Sequence, residues 1–283
     1  MWAMQNAGSL IALTVFIALA MGFALWTASA SLRSRWRRAR IAAAPFPPAW
    51  RRMLQTAMPA WRRLPADIQD ILRRHILIFV AEKRFIGADG LAISEEMKVL
   101  IAAQASLLSV RRGPGCFDDV REVLVYPGAF AVTRPDVDAA GVEHVAPRIH
   151  LGESSSRGQV VLAWDAVLAG AADPDDGHNV VLHEFAHQLD QRKGAANGAP
   201  SRVGAKRVAR WAATMGAAYA LLHQQVLANE VPTLDPYALH SPAEFFAVAT
   251  ENFFERPDHL ARAMPAVYRE LAGYYHVDPL SWH

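Results

Sequence analysis

The stretch VVLHEFAHQLD, residues 180–190, sets the strongest condition on any fold this chain can adopt. His183 and His187 stand four apart, with Glu184 directly after the first. On an α-helix, side chains four apart lie on one face, one turn above the other. Both imidazoles can therefore direct a nitrogen at a single point. Val180, Val181, Leu182, Phe185, Ala186 and Leu189 make the helix apolar around them, which predicts a buried pair. Two buried imidazoles without partners are costly. A fold that accepts this helix must bring a further polar group to the same point; a surface helix that merely holds two histidines would not need the apolar surround.

The residue types suit a metal. Zinc takes neutral imidazole, prefers four ligands, and in catalytic sites keeps one position open. Glu184 lies about 100° around the helix from His183, placed to take a proton from a water rather than to bind the ion. The third ligand has to come from elsewhere. A histidine six residues after the second one is absent, since position 190 is Asp190 and position 193 is Lys193. A carboxylate on a later helix then completes the site, and Glu244, Glu251 and Glu255 are the candidates. Glu244 has a rival role, because Ser241-x-x-Glu244 has the form of a capping box. Spacing leaves Glu244 and Glu251 even. Asp190 reads either as an acceptor for the second nitrogen of a ligand histidine or as a solvated helix end. With one cysteine, Cys116, the chain can form no internal disulfide and suits a reducing compartment.

Charge divides the 283 residues unevenly. Nine of the 29 basic residues lie before position 65, where there is no acid, which leaves 20 basic against 27 acidic residues in the remainder. That net of −7 argues against direct nucleic-acid binding by the body of the chain. Residues 9–30, SLIALTVFIALAMGFALWTASA, are uncharged and long enough to cross a ~30 Å hydrocarbon core as a helix. A buried core helix and a cleaved signal peptide ending at Ala28-Ser29-Ala30 are the competing readings, but the basic residues stand on the wrong side for a signal peptide. Arg33, Arg35, Arg37, Arg38 and Arg40 follow at once, and positive residues beside a span stay cytoplasmic. The expectation is a single-pass protein of a bacterial inner membrane: a transmembrane helix over 1–32, a basic and Pro-rich linker over 33–48, and a cytoplasmic catalytic domain over 49–283.

Within that domain, apolar residues at a helical period predict a helix over 67–83, and Ser94 caps another that runs to 108. REVLVYP and GQVVLAW are short β-rich runs. A Gly-rich loop over 191–204 follows the two histidines and is placed to shape the cleft; a long helix over 205–228 comes next, and Ser241 opens one more. Helices outnumber strands without regular alternation, so the fold class is α+β, mostly helical with a small sheet. Val160, Val161 and Leu162 read equally as an edge strand for an extended substrate or as a buried central strand.

The blocks AEKRFIGADGLAISEEMKVLIAAQASLL, LVYPGAF, SRGQVVLAWDAVLAG, GHNVVLHEFAHQLD, ANGAP and DPYALHSPAEFFAVATENFFERP together resemble the Mlc titration factor A family of zinc peptidases. The likeness extends from Phe46 to Pro279. It implies a zincin-like domain similar to the protease domain of anthrax lethal factor, one zinc ion per chain, His183, His187 and Glu244 as its ligands, and Glu184 as the general base. It favours Glu244 over Glu251, and it places Tyr237 near the metal, where a phenol can donate to a developing oxyanion. Ser106 departs from the family's frequent Cys at a packing position, and the apolar N-terminal stretch is a larger departure. The implied activity is hydrolysis of a peptide or protein substrate. The alternative is a regulatory protein that sequesters a transcriptional repressor, with catalysis secondary.

Overall fold

A computed structural model of the chain describes residues 14–24, 26, 29–137, 143–150, 152–155, 158–193, 196–199 and 205–282. The chain divides into two compact units, Met1–Pro45 and Phe46–His283. In the first, residues 14–24 are helical and α1 covers Ala30–Ala42. α1 includes the five arginines of the basic run. The expected membrane-spanning helix has to be corrected, and with it the inner-membrane location and the membrane as a partner. Among the described residues, no helix is long and apolar enough to cross a membrane. Residues 14–24 extend about 16 Å at 1.5 Å per residue, roughly half of a hydrocarbon core, and the next helix is heavily charged. Residues 9–13, 25, 27 and 28 of the apolar stretch lie outside the described residues.

The second unit is a mixed α+β domain. Pro48 opens α2 (Pro48–Ala57) at its first helical position, where a missing N–H costs nothing. The short α3 (Ala60–Arg63) leads into α4 (Ala66–Glu82). α5 (Glu95–Leu107) starts at Ser94, whose Oγ accepts from Met97 N at 3.1 Å. Its residues from Val99 to Leu107 are all buried, as expected of a helix that is apolar on every side.

Four strands form the main sheet: β1 (Arg84–Gly87), β2 (Glu122–Tyr126), β5 (Gly152–Ser155) and β6 (Gln159–Ala163), in the order β1-β2-β6-β5. β1, β2 and β6 are parallel, with Val123 opposite Val160, and β5 runs antiparallel to β6, with Gly152 opposite Leu162. β3 (Phe130–Val137) and β4 (Glu143–His150) form a separate antiparallel hairpin. β6 is thus an interior strand, buried from Val160 to Ala163. Of the two readings of Val160–Leu162, the central strand holds and the edge strand falls. The edge next to β6 belongs to β5.

The remaining helices are α6 (Trp164–Ala172), α7 (Val180–Asp190), α8 (Ala205–Leu227), α9 (Pro242–Glu255), α10 (Pro257–Ala263) and α11 (Pro265–Tyr275). α7 enters the core through Val181, Leu182, Phe185, Ala186 and Leu189. The Phe185 ring packs against Phe79 at 5.5 Å and Phe117 at 4.9 Å. Those contacts fix the face of α7 that is left for the two histidines.

Candidate metal centre

The first turn of α7 is set by Asn179. Its Oδ1 accepts from Leu182 N at 3.0 Å, an N-cap bond. Its Nδ2 donates to Gln104 Oε1 at 2.9 Å, to Gly170 O at 3.2 Å and to Glu255 Oε1 at 2.9 Å. One buried side chain thereby joins α7 to α5, α6 and α9. Sequence reasoning missed it, although Asn directly before an apolar helical run is a cap signal.

α9 supplies the carboxylates. Ser241 caps it, its Oγ accepting from Glu244 N at 3.1 Å. Only this half of the predicted capping box is used by Glu244. Its carboxylate goes to the histidines instead, with Oε2 at 2.9 Å from His183 Nε2 and 3.3 Å from His187 Nε2. The two Nε2 atoms are 3.2 Å apart. Two imidazole nitrogens and one carboxylate oxygen thus converge on one point, as a group that can hold a metal ion. Ligands about 2.0–2.1 Å from a tetrahedral ion lie roughly 3.3 Å from one another. The separations here are close to that, and the N,N,O donor set suits zinc; the residues fit the ion the sequence calls for.

Glu251, the other candidate, lies behind His183. Its Oε1 is 2.8 Å from His183 Nδ1, and its Oε2 accepts the Asn179 N–H at 2.5 Å. It holds the ring by the nitrogen that faces away from the converging atoms. Glu255 reaches neither histidine and ends on Asn179. Asp190 takes neither of its expected roles. It is buried, and its Oδ2 accepts from the backbone N–H groups of Asn197 and Gly198 at 2.9 and 2.7 Å.

Electrostatics follow from this packing. Burial alone would keep His183 neutral, but the charge of Glu251 and hydrogen bonds to Glu244 and Glu251 raise its affinity for a proton well above the usual value. Burial also works against ionisation of Glu244, yet the hydrogen bonds and charges of the two histidines hold its carboxyl far below the carboxylate range. Burial pushes Glu184 up to about 7, against the opposing charges of His183 and His187. In the same way, burial, and then the charge of Glu251, push Glu255 up to about 9.

Glu184 faces the edge strand. A Cβ at Gly152 would lie 2.5 Å from Glu184 Oε1 and 2.7 Å from Val180 Cγ2, so the glycine that begins β5 leaves the room that the Glu184 side chain takes. A cleft of about 780 Å³ opens here, lined by Gly152, His178, His183, Glu184, Tyr237 and Val248 among others. Tyr237 stands on the 3₁₀ turn Pro236–His240, whose start Asp235 fixes by accepting from Tyr237 N at 2.7 Å. Its ring centre is 6.0 Å from that of His183, and the residue is 45% exposed. The structure thus brings together His183, Glu184, His187, Glu244 and Tyr237.

Comparison with known proteins places most of the chain in one family. Residues 33–276 match the family described as glucose-regulated metallo-peptidase M90. An uncharacterized protein of Synechocystis sp. is 36% identical over 247 residues, 87% of this chain and 90% of that protein. Mlc titration factor A of Pectobacterium atrosepticum is 36% identical over 208 residues, 72% of this chain and 77% of its own length. The protein of the same name from Edwardsiella ictaluri is 34% identical over 229 residues, 79% and 86% of the two chains. A match over nearly the whole of the second unit, with the converging donors inside it, leads to one conclusion: the chain belongs to the glucose-regulated metallo-peptidase M90 family.

Proposed function

We propose that this chain is a zinc-dependent peptidase, with His183, His187 and Glu244 holding the ion and Glu184 as general base. The observation that carries the proposal is the convergence of His183 Nε2, His187 Nε2 and Glu244 Oε2 on one point, with His183 and Glu184 lining the adjacent cleft. Zinc held there would supply Lewis acidity, polarising a carbonyl and acidifying a water. Glu184 takes the proton of the attacking water as its oxygen bonds to the scissile carbonyl carbon. The same carboxyl returns the proton to the amine as the C–N bond breaks. Tyr237 donates a hydrogen bond to the oxyanion that develops on the carbonyl. The extended peptide pairs with the outer side of β5, which lies at the sheet edge directly over Glu184.

Glu184→Gln tests the proposal. Peptide hydrolysis by the purified chain should vanish while zinc content stays at one per chain. Hydrolysis that persists would remove Glu184 from the mechanism, and loss of zinc would make it a ligand. A second reading comes from the relatives named Mlc titration factor A. On that reading the chain binds a transcriptional regulator and hydrolysis is secondary. The same variant separates the two, since partner binding survives Glu184→Gln and turnover does not.

A further inference from the structure

The metal ligands come from two helices, and Glu244 lies in the first turn of one of them. Apolar packing of α9 fixes how deep that helix lies, but packing is non-directional and says little about its position along its own axis. Ligands at a metal need placement within about 0.5 Å, so a directional contact has to set that position.

We propose that residues 196–199 are a splint between α7 and α9, and that Asp190, Gly198 and Trp211 are positioning residues for the metal centre. The proposal rests on the reading of His183, His187 and Glu244 as the ligand set. Asp190 stands on α7 three residues after His187, 3% exposed, and holds the N–H groups of Asn197 and Gly198 at 2.9 and 2.7 Å. Asn197 steadies the turn by accepting from Ala199 N at 3.0 Å. Gly198 has a φ of +75°, and a Cβ there would lie 2.3 Å from the carbonyl oxygen of Pro242. Its backbone is thus pressed directly against the first residue of α9, two residues before Glu244. From the third side, Trp211 of α8 donates its Nε1–H to Gly198 O at 2.8 Å. The Trp211 ring is 6.0 Å from Phe246 on α9. The end of the ligand helix α7, the start of the ligand helix α9 and the indole of α8 therefore meet at one buried peptide. A side chain at 198 pushes Pro242, and with it Glu244, away from the two imidazoles.

The test measures metal affinity by chelator competition, and the visible spectrum of the Co²⁺-loaded full chain, for Gly198→Ala, Asp190→Ala and Asp190→Asn. Gly198→Ala and Asp190→Ala should bind metal about 10- to 100-fold more weakly and shift the Co²⁺ bands. Asp190→Asn keeps an acceptor oxygen and should stay within a few-fold of the parent. A folded Gly198→Ala protein with the parent's affinity and spectrum overturns the proposal. If Gly198→Ala does not fold, the Asp190 pair decides, and equal affinity of →Ala and →Asn overturns it. Failure of the parent chain to bind zinc or Co²⁺ strikes the ligand assignment itself; failure of the splint leaves parent binding intact.

Discussion

Two carboxylates of α9 divide the work around one imidazole. Glu244 Oε2 sits with the converging nitrogens, while Glu251 Oε1 holds His183 Nδ1 from behind. On the proposed ligand set, removing the first deletes a ligand; removing the second frees the ring and lowers its basicity. Glu244→Ala should therefore abolish zinc binding under conditions where Glu251→Gln costs about 10- to 100-fold in affinity. The reverse ranking in a zinc titration would exchange their roles. Spacing could not decide between them, because both face α7 and only the length of the reach tells them apart. Tyr237 differs in kind. Phe keeps its half-exposed ring and removes only the hydroxyl, so Tyr237→Phe should keep zinc and substrate binding and lose roughly 10- to 1,000-fold in kcat. An unchanged kcat would return the tyrosine to the cleft wall.

At the scale of elements, the site depends on a strand that gave no signal. The β-branched runs in β2 and β6 and the caps at Ser94 and Ser241 were legible, because each carries its own periodicity or hydrogen bond. β5 reads GESS, four residues without β propensity, held in the sheet by pairing with β6. The sheet edge was consequently open to assignment to β6. The packing of Gly152 on Glu184 was hidden for the same reason. This contact makes a sharp prediction. Gly152→Ala places a methyl group 2.5 Å from Glu184 Oε1 and 2.6 Å from Glu184 Cγ, so the side chain must turn away or β5 must lift. Hydrolysis should fall at least 100-fold with zinc content unchanged. Activity near the parent's would show that neither the base nor the strand is where the chemistry needs it. The apolar stretch over 9–30 shows the opposite failure: composition suggested one spanning helix, whereas the described helical residues stop short of that length.

Across the whole domain, the candidate metal site rests on a polar knot inside an apolar core. Gln104 from α5, Asn179 before α7, and Glu251 and Glu255 from α9 are each less than a tenth exposed and hydrogen-bonded through Asn179. With the Asn179 bond to Gly170 O of α6, the knot fixes four helices relative to one another, as apolar contacts alone would not, and it has a cost that depends on pH. Glu255 is held at about 9, mainly by burial and then by the charges of Glu251 and Asp176, against an ordinary value of 4.5. Between those two values the unfolded chain has released a proton that the folded chain keeps. The folded state thus binds more protons than the unfolded one, and stability must fall as pH rises across that window. The slope from this group is at most about 1.4 kcal/mol per pH unit. Glu255→Gln keeps an amide of the same shape and removes the titration. Denaturant unfolding at pH 5, 7 and 9 should show the variant losing less stability than the parent over that range, and the variant the more stable of the two at pH 9. Parallel curves would mean that Glu255 ionises freely in the fold, with the knot open to water.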